Sequence, residues 1–498
     1  MKIFTASQIR ACDDYTIHNE LITSHFLMER AAQKCTDYLF KYLDIEQKIY
    51  IFCGNGNNGG DGFAIARMLY YLNFDVEVYT DLSLQNFSKD ATINFNLLKE
   101  LSGIEIKDFS EFDSSEIIEN EVIIDAILGS GLNRKLEGKL AEIIEKLNSA
   151  KGTKISVDIP SGLFCDEIIE TDAVVFKADF TLSFQFYKKV FLHPETGKFC
   201  GRIHILDIHL HQDFINKTEA ENYVTDENLI KKIYQPRNDF SHKGNFGKTC
   251  IIAGSFGKIG AAVLATKSAL KTGSGLTYIL APKCGYEILQ TSCPEAMFLY
   301  GGKDFIQNFE VENDFTCGIG AGLGTDPETK EKFLEFLNNY SLPLVLDADA
   351  LNILAKNPKN LNLIPEKSII TPHPKEFARL FGETKNSFER LNLAKLKAKE
   401  LQIFIVLKDH HTQIVTPEGE VFYNITGNSG LAKGGSGDVL LGIITSLLAQ
   451  NYSSKNASIF GVWLHGKAAD LVAEKNSKEA MQPSDVIDNL GEVFKILY

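Results

Sequence analysis

KIYIFCGNGNNGGDGFAIAR, residues 48–67, runs from an apolar, β-rich segment through a glycine-rich turn into a segment with apolar Phe63, Ile65 and Ala66. A buried strand, a tight turn and a helix in that order form a nucleotide-binding crossover. Gly54, Gly56 and Gly59 satisfy the GxGxxG spacing, with Asp75 or Glu77 near the distance expected of a ribose-binding acid. Asp61 opposes that reading. At the start of the helix its carboxylate would repel a pyrophosphate that free N–H groups and the helix dipole otherwise attract. Asn57 and Asn58 bring amide oxygens and donors, which suit hydroxyls, an amide or a bound cation. So many glycines cost backbone entropy that a turn alone does not require.

Outward from this loop, β-rich and helical runs alternate from Ile45 to about Leu210, which predicts βαβ units on a parallel sheet. In EVIIDAILGSGLNRKLEG, Asp125 closes a strand before Gly129, Ser130 and Gly131; in KISVDIPSGL, Asp158 and Ser161 repeat the pattern. Parallel sheets bind ligands beyond the carboxyl ends of their strands, so the three loops are expected over one crevice. The polar passage His211–Leu229 has neither strand alternation nor a strong apolar face and marks the expected junction, giving domains 1–213 and 224–498. After it the βα rhythm resumes through KTCIIAGS, IGAAVLATKSAL, LTYILA, LPLVLDADAL, SIITP and IFIVLK, predicting a second layered α/β domain. No motif spacing is shared by the halves, which argues for a fusion of different folds.

The length of 498 residues favours at least two cores, and 44% hydrophobic with 23% charged residues is a globular composition. A net charge of −14 argues against nucleic acid as a partner. Nine cysteines lie scattered without a CxxC pair, as expected of buried, reduced thiols. The N-terminal MKIFTASQIRACDDYTI has acidic residues where a secretory signal has its apolar run, and no stretch approaches a membrane span, so a cytoplasmic location without membrane contact is expected.

NITGNSGLAKGGSGDVLLGIITSLL, residues 424–448, is a second glycine loop running into a helix. Gly434, Gly435 and Gly437 would expose N–H groups at a helix N-terminus, an anion site, and Asp438 stands beside it as a base poised near a hydroxyl. A capping role is the plainer alternative for Asp438. GNFGKT at Gly244–Thr249 ends like a Walker loop but has His242 where the first glycine belongs.

From MER at Met28 through GNGNNGGDG, DAILGSGL and DIPSGL, the first half resembles the epimerase domain of the bifunctional NAD(P)H-hydrate repair enzymes. The resemblance implies a Rossmann-like three-layer sandwich that interconverts the R and S hydrates of NADH and NADPH. By matching positions it implies hydrate binding at Asn57, Asn58, Gly59, Gly60, Asp61, Gly129, Ser130, Gly131, Leu132, Asn133, Arg134, Lys135 and Asp158. It also implies potassium at Asn58, Asp125 and Ser161, and oxygen-only ligands suit a hard cation. Asp158 is the expected acid or base of the epimerisation.

GGSGD in the second half resembles the ribokinase-like superfamily. With HKGNFGKTCIIAGS, IGAA at Ile259–Ala262, AGLG, DADALN and TPHPKE, it is similar to the ADP- or ATP-dependent hydrate dehydratase. There the substrate hydroxyl accepts a phosphoryl group and leaves as phosphate. The resemblance implies hydrate contacts at Ala262, Gly322, His373 and Asp438, with Asp438 the expected catalytic base. Nucleotide contacts are implied at Lys408, Asp409, His410, His411 and Thr412, and at Asn428, Ser429, Gly430, Leu431, Ala432, Lys433, Gly434, Gly435, Ser436 and Gly437. Magnesium is the implied cofactor, with Glu376 as a candidate for arranging it or as an exposed surface carboxylate. Asp409 stands where the family has glycine and Ser429 where proline is common, which touches nucleotide preference. His410 and His411, as neighbours on a strand, should face opposite sides, against a metal reading. The fused arrangement resembles the ADP-using type, and a homo-oligomer is expected. Two rival readings are a small-molecule kinase in the second half, and a non-catalytic binding scaffold in the first.

Overall fold

The computed structural model describes residues 1–83 and 86–498. The chain divides into two compact units, Lys2–Asn222 and Tyr223–Tyr498, the second including Met1. The division falls inside the polar passage, which is more ordered than its composition suggests: it forms a helix at Gln212–Lys217, a strand at Asn222–Thr225 and a helix at Glu227–Ile233. Phe214 explains the first of these, its ring lying 5.4 Å from Tyr15 and 6.2 Å from Phe4.

The sheet of the first unit consists of β1 (Lys48–Cys53), β2 (Asp75–Thr80), β3 (Glu105–Asp108), β4 (Val122–Ala126), β5 (Thr153–Val157), β6 (Phe180–Phe184) and β7 (Arg202–Leu206). Its order is β3-β2-β1-β4-β5-β6-β7, all parallel. β1 shows why it is central. Ile49, Ile51 and Cys53 join the core beneath one helical layer, while Tyr50 and Phe52 join the core on the other face. Each fully buried large apolar side chain stabilises by about 1.5–3 kcal/mol. The first layer holds α2 (Ser24–Tyr42), α3 (Asn57–Tyr71) and α4 (Lys89–Lys99), the second α5 (Lys139–Ser149), and α1 (Ala6–Glu20) packs on a satellite cluster around Phe4 and Phe186. The chain leaves β1 for β2 on one side and returns to β4 on the other, so a ligand crevice opens over the ends of β1 and β4.

Glu77 is not a ribose-binding acid. It sits mid-strand on β2, 6% exposed, with Lys48 at 2.7 Å, Lys107 at 2.9 Å and the Tyr79 hydroxyl donating at 2.5 Å. Burial pushes its carboxyl up, but the hydrogen bonds and the lysine charge outweigh burial and bring it to about 2.

In the second unit β8 (Lys248–Ile252), β9 (Leu276–Ala281), β10 (Met297–Tyr300), β11 (Thr316–Ile319), β12 (Val345–Leu346), β13 (Ile369–Ile370), β14 (Phe404–Leu407), β15 (Gln413–Val415) and β16 (Val421–Asn424) run in the order β16-β15-β14-β13-β12-β11-β8-β9-β10. The pairs from β14 to β10 are parallel, and β15 and β16 add antiparallel. Helices α6 (Ile259–Thr272), α7 (Pro374–Phe381), α8 (Ser436–Ala449) and α9 (Ser454–Lys475) complete what is needed to place the site. α8 is apolar on nearly every side because it packs against α6, α9 and the sheet, with Val439, Leu441, Ile443 and Ile444 buried. Among the described residues no helix is long and apolar enough to cross a membrane.

Candidate functional site

In the first unit the ends of β1, β4, β5 and β6 surround a cavity of about 620 Å³ lined by, among others, Asp13, Asn57, Asn58, Asp61, Asp90, Gly129–Arg134, Asp158 and Lys188. Close backbone approach builds it. A Cβ on Gly54 would stand 1.9 Å from the Ile127 carbonyl oxygen, and one on Gly59 1.8 Å from that of Gly54, so only glycine lets the two loops nest. Gly59 and Gly60 therefore serve packing, and neither lines the cavity.

Asp158 follows β5 with φ at +67°, a left-handed conformation that turns its side chain into the crevice. Its Oδ1 receives Lys188 Nζ at 2.6 Å and its Oδ2 the Ser130 amide at 3.2 Å; Lys188 is 1% exposed and also donates to Ser183 at 2.6 Å. Burial pushes the Asp158 carboxyl up, yet the lysine charge and these hydrogen bonds win and hold it below the usual carboxylate range. Asp13, facing the same space, is pushed up to about 7 by burial and by the Asp158 charge, against the pull of Lys188. Lys188, Asp13 and Asp90 were absent from the sequence reading; the only signal for Lys188 was a lysine pair, Lys188-Lys189, shortly after a strand.

Helix α3 begins at Asn57, capped by Gly56, so Asp61 lies a full turn inside it and not at its start. The glycine-rich NNGG segment winds into helix earlier than expected. Burial, then the charges of Asp158, Asp13 and Asp90, pushes the Asp61 carboxyl well up. Asn58 is 8% exposed and its side-chain oxygen and nitrogen have no hydrogen-bond partner. Asp125 and Ser161 lie behind the wall, bound to each other: Asp125 accepts from the Ser161 hydroxyl at 2.6 Å and amide at 2.8 Å. Among the described residues no cation pairs with Asp125, and burial raises it to about 6 despite the hydrogen bonds. Lys135 is turned away to Asp172 at 2.7 Å and Glu170 at 3.1 Å, so it does not join the cavity wall with Gly129–Arg134.

In the second unit the candidate residues follow the carboxyl ends of adjacent strands: Gly322 after β11, Asp347 after β12, His373 after β13 and Lys408 after β14. Lys408 Nζ meets Asp347 Oδ1 at 2.7 Å and Glu376 at 3.9 Å. Gly437 comes up against this pair, since a Cβ there would stand 3.2 Å from Asp347 Oδ2 and 3.5 Å from Lys408 Nζ. Asp438 sits in the first turn of α8 and caps nothing, Gly435 being the N-cap. Burial, then the Asp347 charge, raises its carboxyl to about 6 against the pull of Lys408. Glu376 is no surface carboxylate: it is 6% exposed and accepts from the His373 amide at 2.9 Å. His373 Nδ1 accepts from the Lys375 and Glu376 amides at 3.1 and 3.3 Å, capping α7 and leaving Nε2 for the proton of the neutral ring. Ala262 has no exposed surface and joins the core cluster of the unit, with its methyl group close to Gly254.

The nucleotide segments also differ from expectation in one respect. His410 and His411 lie beyond the strand, in the bend between β14 and β15, so their rings turn together with Nδ1 atoms 3.1 Å apart. Burial, then His410, lowers His411 to about 4, and among the described residues no third metal-type ligand joins them. Asp409 pairs with Arg390. The loop from Thr426 is tied to α9: Thr426 donates to the Trp463 carbonyl at 3.1 Å, and Asp470 accepts from the Gly427 amide at 2.9 Å and the Asn428 side chain at 3.0 Å.

A parallel sheet with a glycine crossover and a lysine–aspartate pair in its cavity, followed by a larger α/β unit with a glycine loop before a first-turn aspartate, defines a two-domain enzyme: a Rossmann-like unit and a ribokinase-like unit. Residues 24–190 match the family described as YjeF-related protein N-terminus, and residues 249–491 match NAD(P)H-hydrate dehydratase. Over the full chain and 97% of its own length, the bifunctional NAD(P)H-hydrate repair enzyme of Moorella thermoacetica is 31% identical. That of Escherichia coli is 31% identical over 95% of this chain and 90% of its own. A solved ADP/ATP-dependent NAD(P)H-hydrate dehydratase from Bacillus subtilis, co-crystallised with ATP and Mg2+, is 30% identical over 55% of this chain and 99% of its own, with a TM-score of 0.49. The chain belongs to the bifunctional NAD(P)H-hydrate repair enzymes, pairing an epimerase with a dehydratase.

Proposed function

We propose that Asp158 moves the proton during interconversion of the R and S hydrates, in the cavity of the first unit. The buried Lys188–Asp158 pair carries this reading, because it keeps a carboxylate ionised, oriented and desolvated beside empty binding space. Asn57, Asn58 and Gly129–Arg134 provide the polar wall for the hydrate. Potassium fits this unit: among the described residues the Asn58 oxygen has no partner and the buried Asp125 carboxylate has no cation beside it. Asn58, Asp125 and Ser161 would hold the ion, which would supply positive charge behind the loops.

In the second unit the hydrate's hydroxyl takes a phosphoryl group and leaves as phosphate, restoring the dihydronicotinamide. Asp438 removes the hydroxyl proton, and the N–H groups of the loop ending at Gly437 stabilise the transferring charge. ADP is the expected donor, with ATP as the alternative. Glu376 and Asp347 are engaged with protein partners, so magnesium would be held mainly by the nucleotide phosphates and would neutralise their charge. All nine cysteines are free and eight are buried, which supports a reducing, cytoplasmic setting. A homo-oligomer is the proposed assembly, tested by light scattering.

The test is recovery of NADH absorbance from a mixed R and S hydrate with potassium, magnesium and either ADP or ATP. Full recovery supports both halves; recovery of the S share alone rejects the epimerase. With ADP or ATP and no recovery, a small-molecule kinase replaces the dehydratase. Asp158→Asn should stop epimerisation and spare dehydration; retained epimerisation overturns its role.

A further inference from the structure

The hydrate is formed by adding water to an enamine, so its hydroxyl sits on the carbon beside the ring nitrogen. That centre inverts when the hydroxyl leaves with a proton as water while the nitrogen lone pair forms a C=N bond, a route that exchanges the oxygen with solvent. Water then returns to the other face and loses a proton. One group must give a proton on one face and another must take one on the opposite face; no oxidant or co-reactant enters. A single carboxylate does not serve both faces in the same passage.

The cavity offers a second carboxyl group. Asp61 projects from α3 and Asp158 from the loop after β5, so they reach the cavity from different elements of the sheet's two flanking connections. Asp158 is committed to Lys188 and the Ser130 amide. Asp61 makes no hydrogen bond or ion pair with any described residue, although it lies among Asp13 of α1, Asp90 of α4, Asp158 and the buried thiols Cys35 and Cys53. Arg10 and Arg134 line the same space, and the side chain of Asn58, one turn before Asp61, is buried without a partner.

We propose that Asp61 is the second catalytic residue of the epimerase, the proton donor facing Asp158 across the hydrated ring. Resting on the reading of this cavity as the epimerase site, the pair works as acid and base, and exchanges roles when the reaction runs backwards. Burial, then crowding among acids, keeps the Asp61 proton in place, whereas Lys188 keeps Asp158 without one. The opening of the C–O bond takes the proton from Asp61; the re-adding water delivers its proton to Asp158, which then releases it to solvent while Asp61 regains one, so the pair returns to its starting state.

The full chain is assayed without nucleotide, so that dehydration is silent, by following conversion of purified R hydrate to S and incorporation of 18O from labelled water. Asp61→Asn should slow both by about 100-fold or more, keep hydrate affinity within a few-fold, and raise the thermal midpoint by removing an acid from a crowded cluster. Asp61→Glu should restore part of the rate. Asp61→Asn with epimerisation within 5-fold of about the unmodified rate, or a rate loss matched by lost hydrate binding, overturns the proposal. Unmodified protein that fails to interconvert the hydrates at all would instead overturn the epimerase reading itself.

Discussion

Lys188→Met removes the one cation that pairs with Asp158 among the described residues and leaves its carboxylate stranded in the cavity wall. Lys188 is 1% and Asp158 8% exposed, and their contact is 2.6 Å, so this is a buried pair broken on one side. Such a change costs about 3–5 kcal/mol. Ser183 also loses its 2.6 Å partner, worth about 1 kcal/mol. Together these give about 4–6 kcal/mol, and a loss at the low end, about 4 kcal/mol, is expected at pH 7.5, a large share of the roughly 5–15 kcal/mol that holds a domain. The pH dependence follows from the carboxyl. With Lys188 present, Asp158 lies below its unfolded value, so its stabilisation is full above the ordinary carboxyl range and is lost only as pH falls below that range. Without Lys188, burial outweighs the remaining Ser130 hydrogen bond and Asp158 moves above its unfolded value, so the variant loses stability as pH rises through that range. The gap between the two proteins should therefore narrow from about 4 kcal/mol at pH 7.5 towards about 1–2 kcal/mol near pH 4.5. Urea unfolding followed by far-ultraviolet circular dichroism measures it. The single tryptophan, Trp463, is buried in the second unit and reports that unit separately. A gap that stays constant or widens in acid would refute the reasoning.

Asp438→Asn should abolish dehydration and leave epimerisation intact; in the unmodified protein kcat/KM for dehydration should fall as pH drops through about 6, where the base takes up its proton, read from initial rates between pH 5 and 8. Asp470→Ala removes two hydrogen bonds to the nucleotide loop and, at about 1.5–3 kcal/mol for bonds to a charged group, should raise the nucleotide KM about 10- to 100-fold with a smaller effect on kcat; Asp470→Asn should be milder. Potassium should raise the thermal midpoint of the first unit's unfolding and lithium should not, with the difference absent in Asp125→Asn; calorimetry decides. Gly59→Ala puts a methyl group against the Gly54 carbonyl oxygen and should destabilise by about 3 kcal/mol or more, whereas Gly434→Ala, which meets nothing within 4 Å, should leave stability unchanged and weaken nucleotide binding by titration.

The fold was legible because both units advertise alternating β and α segments whose apolar residues fall at the right periods, as β1 shows with Ile49 and Ile51 on one face and Tyr50 and Phe52 on the other. The strand-end aspartates were legible for a related reason: in a parallel sheet position along the chain predicts position at the crevice. Lys188, Asp13 and Asp90 were not, since they come from three distant segments, and only packing brings them to Asp158. Glu376 was misjudged as a possible surface group because nothing in TPHPKE reveals that His373 folds back to cap its helix and draws Glu376 inward. The histidine pair failed for the opposite reason, a strand rule applied three and four residues past the strand's end at Leu407.

The two glycine loops look alike in sequence and differ in what their missing side chains make room for. In the first, the space at Gly54 and Gly59 is already filled by backbone carbonyl oxygens of the same unit, so the glycines fix the loop's shape and the chemistry comes from Asn58, Asp61 and the partner loops. In the second, Gly434 faces open space and Gly437 faces Asp347 and Lys408, so the absent side chains leave N–H groups uncovered for an incoming anion. A dinucleotide fingerprint in the first loop is therefore a resemblance of spacing: Gly54 and Gly59 are consumed by packing, only Gly56 of the three faces open space, and acids line the cavity beside it. The phosphate chemistry is proposed for the second loop, where Lys408 stands beside Gly437 and Asp438 opens a helix without capping it. On the proposed reading, a damaged nicotinamide cofactor meets acids in the first unit and anion-binding amides in the second, the order in which inversion and phosphoryl transfer call for them.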